Sequence, residues 1–169
     1  MSHSVAVIGG GIVGVASAYE LAKRGADVTV YERDTLGSGS TGRSGGGIRS
    51  QFSTPVNVEL SLASKQVWDD FEEQFGVDIR RRRVGYLFLA QEQATADALR
   101  ENVTMQSDHG VTSRFLSADE AREYCPELHH ERYSGAAYNA EDEFVDPYLC
   151  LQGYAAAARE HGVDIQAKT

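Results

Sequence analysis

Residues 5–14, VAVIGGGIVG, constrain this chain more than any other stretch. Four small or β-branched residues, Val5-Ala6-Val7-Ile8, run straight into Gly9-x-Gly11-x-x-Gly14, and an apolar helical pattern follows. Strand, tight glycine turn and helix start, in that order, form the dinucleotide fingerprint. Each glycine has its own task. Gly9 permits the turn off the strand, Gly11 lets a pyrophosphate approach the backbone, and Gly14 lets the helix pack on the sheet. The helix N-terminus then offers free amides and a positive dipole end to the phosphates.

The context decides how much weight the fingerprint carries. Residues 12–23 read as a helix with Val13, Ala16 and Leu21 among its apolar positions, and Gly25 supplies a stop. Val28-Thr29-Val30-Tyr31 is a second β-branched strand that ends in Glu32, eighteen residues beyond Gly14. That is the place for a ribose-binding carboxylate, and the whole set fits within one βαβ unit. A nucleotide site is expected. A carboxylate would repel a 2′-phosphate, so NADP is disfavoured.

The chain has 169 residues, enough for one domain with a sizeable core. Its 25 acidic and 16 basic residues give a formal net charge of −9, which argues against nonspecific binding to nucleic acid or anionic membranes. No apolar run approaches the ~20 residues that span a bilayer, so membrane insertion is not expected. The N-terminus leads at once into the first strand, with no basic region and apolar segment of a secretory signal; a cytoplasmic location is the expectation. Cys125 and Cys150 lack CxxC spacing and read as free, buried thiols. Cys125, His129, His130 and Glu131 cluster in sequence but match no HExxH or paired CxxC pattern, and no metal site is expected.

Residues 33–53, RDTLGSGSTGRSGGGIRSQFS, hold six glycines between Gly37 and Gly47. Arg43, Arg49 and Ile48 set this stretch apart from a plain Gly/Ser linker. Glycines allow close approach, and Ser38, Ser40, Thr41, Ser44 and Arg43 can bond cofactor oxygens, so it reads as a loop over the nucleotide. Thr54-Pro55 opens a helix carrying Leu60, Ala63, Val67, Phe71 and Phe75 to a stop at Gly76, with the Trp68 and Phe71 stripe read as core. Arg80 to Arg83 form a solvated run before a strand at 84–89. A polar helix at 91–108 follows, with Ala94, Ala98, Leu99, Val103 and Met105 as its apolar positions. Ser117 and Glu120 form a capping box that opens a short helix ending before Pro126. His109 and His161, beside glycines, read as helix C-terminal residues. Asp146-Pro147 starts another helix, which stops at Gly162, and Val163-Asp-Ile165 begins a third strand.

A Rossmann sheet has two βαβαβ halves, and only one is visible in this sequence. The chain therefore reads as the N-terminal part of a longer protein or as one piece of a divided enzyme. Its third strand would stand at an uncovered edge.

With GGGIVG, the YERD strand end, the GSGSTGRSGGGIR loop, the VGYLFLA strand and the FVDPYLCLQGYAAAAREHGV helix in place, the sequence resembles the FAD-dependent D-amino-acid oxidase superfamily. The sarcosine oxidase (β-subunit-like) and amino-acid dehydrogenase branch is the most similar, and only the N-terminal portion of a member is covered. The resemblance implies an α/β fold: a Rossmann-type FAD-binding domain at 1–83 and 140–169, interrupted at 84–139 by the first segment of an α+β substrate domain. It implies FAD rather than NAD. Gly9, Gly11 and Gly14 would hold the pyrophosphate, Glu32 the adenosine ribose, and Arg43 and Ser44 the stretch from phosphate to ribityl. Ile12, Val13, Arg33, Gly42 and Gly46 complete the cofactor-binding set. Arg49 matches the arginine that binds the substrate carboxylate above the flavin.

The implied activity is oxidation of the CH–NH bond of a small amino acid or N-methylated, sarcosine-like amine. Hydride passes to flavin N5, and the resulting imine hydrolyses. A partner subunit or a C-terminal half is expected to complete the site. Two other readings stay open at this point: an NAD-dependent dehydrogenase half-domain, and a non-catalytic FAD-binding fragment or assembly subunit.

Overall fold

A computed structural model describes residues 3–169. In chain order the elements are β1 (Ser4–Ile8), α1 (Ile12–Lys23), β2 (Asp27–Glu32), β3 (Gly47–Ile48), α2 (Pro55–Asp69) and α3 (Phe71–Phe75). They continue as β4 (Arg82–Arg83), β5 (Tyr86–Ala90), α4 (Gln93–Asp108), β6 (Arg114–Leu116), β7 (Gly135–Asn139), β8 (Glu143–Phe144), α5 (Pro147–Glu160) and β9 (Asp164–Ala167). Two compact units result. One comprises the residues to Gly46, Asp70–Arg81 and Val145–Thr169; the other comprises Gly47–Asp69 and Arg82–Phe144.

The first unit is built on a parallel sheet of order β1-β2-β9, with Val5 opposite Val28 and Val30 opposite Ile165. Period-two alternation along β2 buries Val28, Val30 and, on the same face, the carboxylate-bearing Glu32. Helices α1 and α5 pack on each other through residues small enough for close approach: Ala18, Ala155 and Ala158 are wholly buried. Around them Tyr19, Phe71, Phe75 and Tyr154 form an aromatic cluster, with the Phe71 and Phe75 centroids 4.5 Å apart. Burial of Phe71 and Leu151 contributes ~1.5–3 kcal/mol each. The third strand starts one residue later than expected and lies at the sheet edge beside β2. The Asp146 side chain accepts from the Tyr148 and Leu149 amides, at 3.0 and 3.2 Å, and so caps α5 as its sequence signature required.

The second unit holds two antiparallel sheets, β5-β7-β6 and β3-β8-β4. On one face of the larger sheet Leu87, Leu89 and Tyr138 pack against Leu116, Ala121 and Ala136. Alternation sends Tyr86 and Phe88 to the opposite face. Arg83 meets Asp69, Glu141 and Glu143, so acids do surround that member of the arginine run.

Several sequence expectations need correction. The single helix expected from Pro55 to Phe75 breaks at Asp70 (φ −101°, ψ 11°), so Phe71 and Phe75 belong to α3 in the first unit. The break takes Leu60 and Phe71 off a common face: Leu60 is 61% exposed while Phe71 is 1% exposed. The strand expected at 84–89 runs from Tyr86 to Ala90, because the chain turns at Gly85. In α4 the buried residues are Ala96 and Gln106, while Ala94 and Ala98 face solvent. The capping box at Ser117 forms, with Glu120 accepting from the Ser117 amide at 2.7 Å, but it opens a 3-10 turn. Cys150 is buried as expected, whereas Cys125 is only half-buried.

Candidate functional site

The glycine turn and the end of β2 create the first site. Gly9 adopts φ +108°, and its amide donates to the Tyr31 carbonyl at 2.8 Å, which pins the turn to the neighbouring strand. A Cβ on Gly14 would overlap the Gly9 carbonyl, so only glycine lets α1 start this close to the strand. Helix α1 begins at Ile12 with Gly11 as its N-cap and no side chain of its own to cap it.

Its first amide is nevertheless satisfied. The Ile12 N–H donates to Thr41 Oγ1 at 3.0 Å, from a 3-10 turn at Thr41–Arg43 in the glycine-rich loop. The loop is therefore folded back over the helix N-terminus, and Thr41 is buried there. The Gly42 amide closes the same loop on the Gly37 carbonyl at 2.8 Å.

Glu32 is the electrostatic centre of this site. Its Oε2 accepts from the Gly10 amide at 2.7 Å and its Oε1 from the Asp34 amide at 2.9 Å. These backbone donors, Gly10 first, hold the carboxyl below its usual range, although burial opposes them. A carboxylate has about four lone-pair sites, so two remain for ligand hydroxyls. Ile8, Gly9, Gly11, Tyr31, Glu32 and Arg33 line a cleft of about 400 Å³ together with residues 38–41.

The structure gathers only part of the expected set into this cleft. Gly9, Gly11, Glu32 and Arg33 line it; Ile12 and Gly14 shape it through the helix start. Val13 is 78% exposed. Gly42, Arg43, Ser44 and Gly46 follow along the loop and do not line the cleft. The Gly46 amide donates to Ser44 Oγ at 3.0 Å, and a Cβ on Gly46 would overlap the Val145 carbonyl, so both have structural work of their own. Thr41 is the residue that sequence reasoning left out of the set. Four hydroxyl residues stand in that loop, and no local signal says which one folds back onto the helix.

Arg49 belongs to the second unit. Its guanidinium lies over the rings of Phe52, Tyr86 and Phe88, at 5.3, 5.9 and 5.2 Å from their centroids. Among the described residues it has no carboxylate partner. The segment that carries it is fixed from below by Asp142, which is 1% exposed. That carboxylate accepts from the Ser50 amide at 2.9 Å, Gln51 Nε2 at 3.0 Å and Asn139 Nδ2 at 2.8 Å. Burial pushes the Asp142 carboxyl up, and the three donors pull against it.

A parallel β1-β2-β9 sheet with a glycine turn, an ionised acid at the end of β2 and a cleft between them defines a Rossmann-type dinucleotide-binding protein. Comparison with known proteins narrows the class. The chain belongs to the DAO family, FAD dependent oxidoreductase, whose model matches residues 4–169, and the family's cofactor is FAD. It is similar to FAD-dependent oxidoreductase domain-containing protein 1 of Xenopus laevis, 36% identical over 172 residues, which cover 94% of this chain and 34% of that one. It is likewise 36% identical to the glycine oxidase of Geobacillus kaustophilus, over 92% of this chain and 44% of that one. Among solved structures, L-proline dehydrogenase from P. horikoshii superposes with a TM-score of 0.86 at 37% identity, covering 99% of this chain and 44% of that one. The chain thus spans between a third and a half of the length of these relatives. Among the described residues no helix is long and apolar enough to cross a membrane.

Proposed function

We propose that the chain is the cofactor-holding part of a FAD-dependent oxidoreductase that oxidises the CH–NH bond of a small amino acid or N-methylated amine. The observation that carries this reading is Arg49, a guanidinium caged by three aromatic rings with no carboxylate of its own. Such a group is prepared to grip a substrate carboxylate bidentately. The names of two relatives, glycine oxidase and L-proline dehydrogenase, support a small amino acid as substrate.

The residues present fit FAD. Gly9 and Gly11 leave the cleft rim free of side chains, and Glu32 is ionised with acceptor sites to spare. In this reading Gly9, Gly11 and Gly14 hold the pyrophosphate and Glu32 the adenosine ribose, with Ile12, Val13 and Arg33 completing the cofactor-binding set. Gly42, Arg43, Ser44 and Gly46 guide the path towards the ribityl chain. When bound, FAD supplies the acceptor for a hydride. The chain's own residues do the rest: Arg49 fixes the carboxylate and its register, while Phe52, Tyr86 and Phe88 keep water from that contact. The parallel unit serves the cofactor and the antiparallel unit the substrate. A partner subunit or further chain completes the site.

The test is spectroscopic. The purified chain is mixed with FAD, freed of excess by filtration, and scanned for flavin bands near ~450 nm. N-methylglycine is then titrated while binding heat is read. Retained FAD, with Arg49→Met weakening N-methylglycine about tenfold or more at unchanged flavin content, supports the proposal. A colourless protein, or an Arg49→Met variant that binds N-methylglycine unchanged, refutes it.

A further inference from the structure

A guanidinium stacked on rings has little directional to hold it, and an arginine stem has many rotamers to choose from. Arg49 lies over Phe52, Tyr86 and Phe88 and borders a cavity of about 220 Å³, which Gln51 and Gln106 also line. Its position therefore depends on how firmly its own backbone is tied to the strand that carries Tyr86 and Phe88.

Asp142 makes that tie. It is 1% exposed and forms no ion pair among the described residues. Its Oδ1 accepts from the amide of the Arg49–Ser50 peptide at 2.9 Å and from Asn139 Nδ2 at 2.8 Å. Its Oδ2 accepts from Gln51 Nε2 at 3.0 Å. The same Nε2 donates to the Tyr86 carbonyl at 2.9 Å, and Asn139 is the residue opposite Tyr86 on β7. The Asp142 carbonyl takes the Gly85 amide at 2.9 Å, one residue before Tyr86. These bonds end on the Arg49 segment and at the Tyr86 end of the strand pair.

The arrangement needs a carboxylate. Gln51 Nε2 stands between two acceptors, and turning the amide over would set Oε1 against the Tyr86 carbonyl. A side-chain amide in place of the Asp142 carboxylate would present an NH₂ group to one of its donors. Burial disfavours the charge and pushes the carboxyl up, against the three bonds that require it.

We propose that Asp142 is the positioning residue of Arg49: its carboxylate locks the Arg49–Ser50 peptide to the Tyr86 end of β5 and so sets the guanidinium over its three rings. The inference rests on the proposed role of Arg49 and adds the group that places it. Lys65 of α2 favours the carboxylate by its charge and donates to the Glu141 carbonyl at 2.9 Å; Arg83 of β4 pairs with the buried Glu143 at 3.5 Å. Cationic side chains of these types keep their charge in mild acid, so a change at Arg49 there arises from a carboxylate: Asp142, Glu141 or Glu143.

The test reads the Arg49 side chain itself. In the ¹⁵N-arginine-labelled chain, the Arg49 Nε–H signal is the one lost in Arg49→Lys, and ring currents set it upfield of exposed arginines. In Asp142→Asn it is expected to move to the position of exposed arginines, while N-methylglycine weakens on the order of tenfold at unchanged flavin content. Thr112→Val removes a neighbouring bond to Asn139 without touching Asp142, and it keeps both. In the wild-type chain, acid moves the Arg49 signal with the midpoint of the Asp142 Cγ resonance, a reading that needs no variant to fold. An unmoved signal in folded Asp142→Asn overturns the positioning role. So does a wild-type signal indifferent to Asp142 ionisation, or an equal loss in Thr112→Val. Failure of the wild-type chain to bind N-methylglycine, with the arginine signal as expected, overturns the Arg49 reading alone and leaves Asp142 as the group that places the guanidinium.

Discussion

Replacing Glu32 by Gln removes a charge while keeping the shape of the side chain. The carboxylate accepts the Gly10 amide at 2.7 Å and the Asp34 amide at 2.9 Å. A glutamine offers a single carbonyl, so one amide keeps a neutral bond and the other faces an NH₂ group. Bonds to a charged acceptor are worth ~1.5–3 kcal/mol and neutral ones about 1. Asp34 is exposed, and water recovers most of what its amide loses; Gly10 is buried, and its bond weakens without replacement. The substitution is expected to cost about 2 kcal/mol of unfolding free energy at pH 7.

The pH dependence carries the stronger test. The fold lowers the Glu32 pKa from its ordinary 4.5, so near pH 4 the folded chain binds fewer protons than the unfolded one. The contribution is complete above that ordinary value and is lost as pH falls through the folded value. Below it the wild-type side chain is a neutral acid with the same single carbonyl as glutamine. Urea unfolding followed by circular dichroism at pH 7, 5.5, 4 and 3 is expected to show a constant gap that closes only below pH 4.5. A gap that persists unchanged to pH 3, or its absence at pH 7, would refute the assignment of Glu32 as an anchored anion.

Thr41→Val keeps the shape but leaves the Ile12 amide without its acceptor, for a loss of about 1–2 kcal/mol in thermal unfolding that Thr41→Ser restores. If Val and Ser behave alike, the loop does not cap α1. Burial pushes the Cys150 thiol up to about 12, and the residue is 2% exposed, whereas Cys125 is half-buried. A thiol reagent at pH 8 is expected to count one fast thiol in the folded chain and two in denaturant; two fast thiols before unfolding would contradict the packing of α5.

What could be read from the sequence was local. The span of α1, the capping box at Ser117 and the Asp146 cap each depend on residues within a few positions of one another, and the acid at the end of β2 falls within the same βαβ unit as the glycine turn. Glycine positions were legible for the same reason, since a backbone that must turn or approach closely admits little else. The family resemblance extended that reading to the cofactor, because the glycine turn and the glycine-rich loop form a combination with few other uses.

Tertiary structure decided what depends on distant partners. The Pro55 to Phe75 periodicity continues unbroken through Asp70, yet the chain breaks there and divides the stripe between two units. Which face of α4 is buried was settled by its packing on β5 and β7; Ala94 and Ala98 lost to Ala96 and Gln106 because helix propensity is indifferent to which side meets a sheet. Thr41 was one hydroxyl among four until the loop folded back over the Ile12 amide. Gln51 and Gln106 lie 55 positions apart, an ordinary polar residue each in sequence, and only folding puts both beside Arg49. The sequence by itself determined a strand–turn–helix of the dinucleotide-binding pattern, since that geometry is made of neighbours. The walls of the cavity were decided by the tertiary structure, since burial is a property that residues acquire only from others far along the chain.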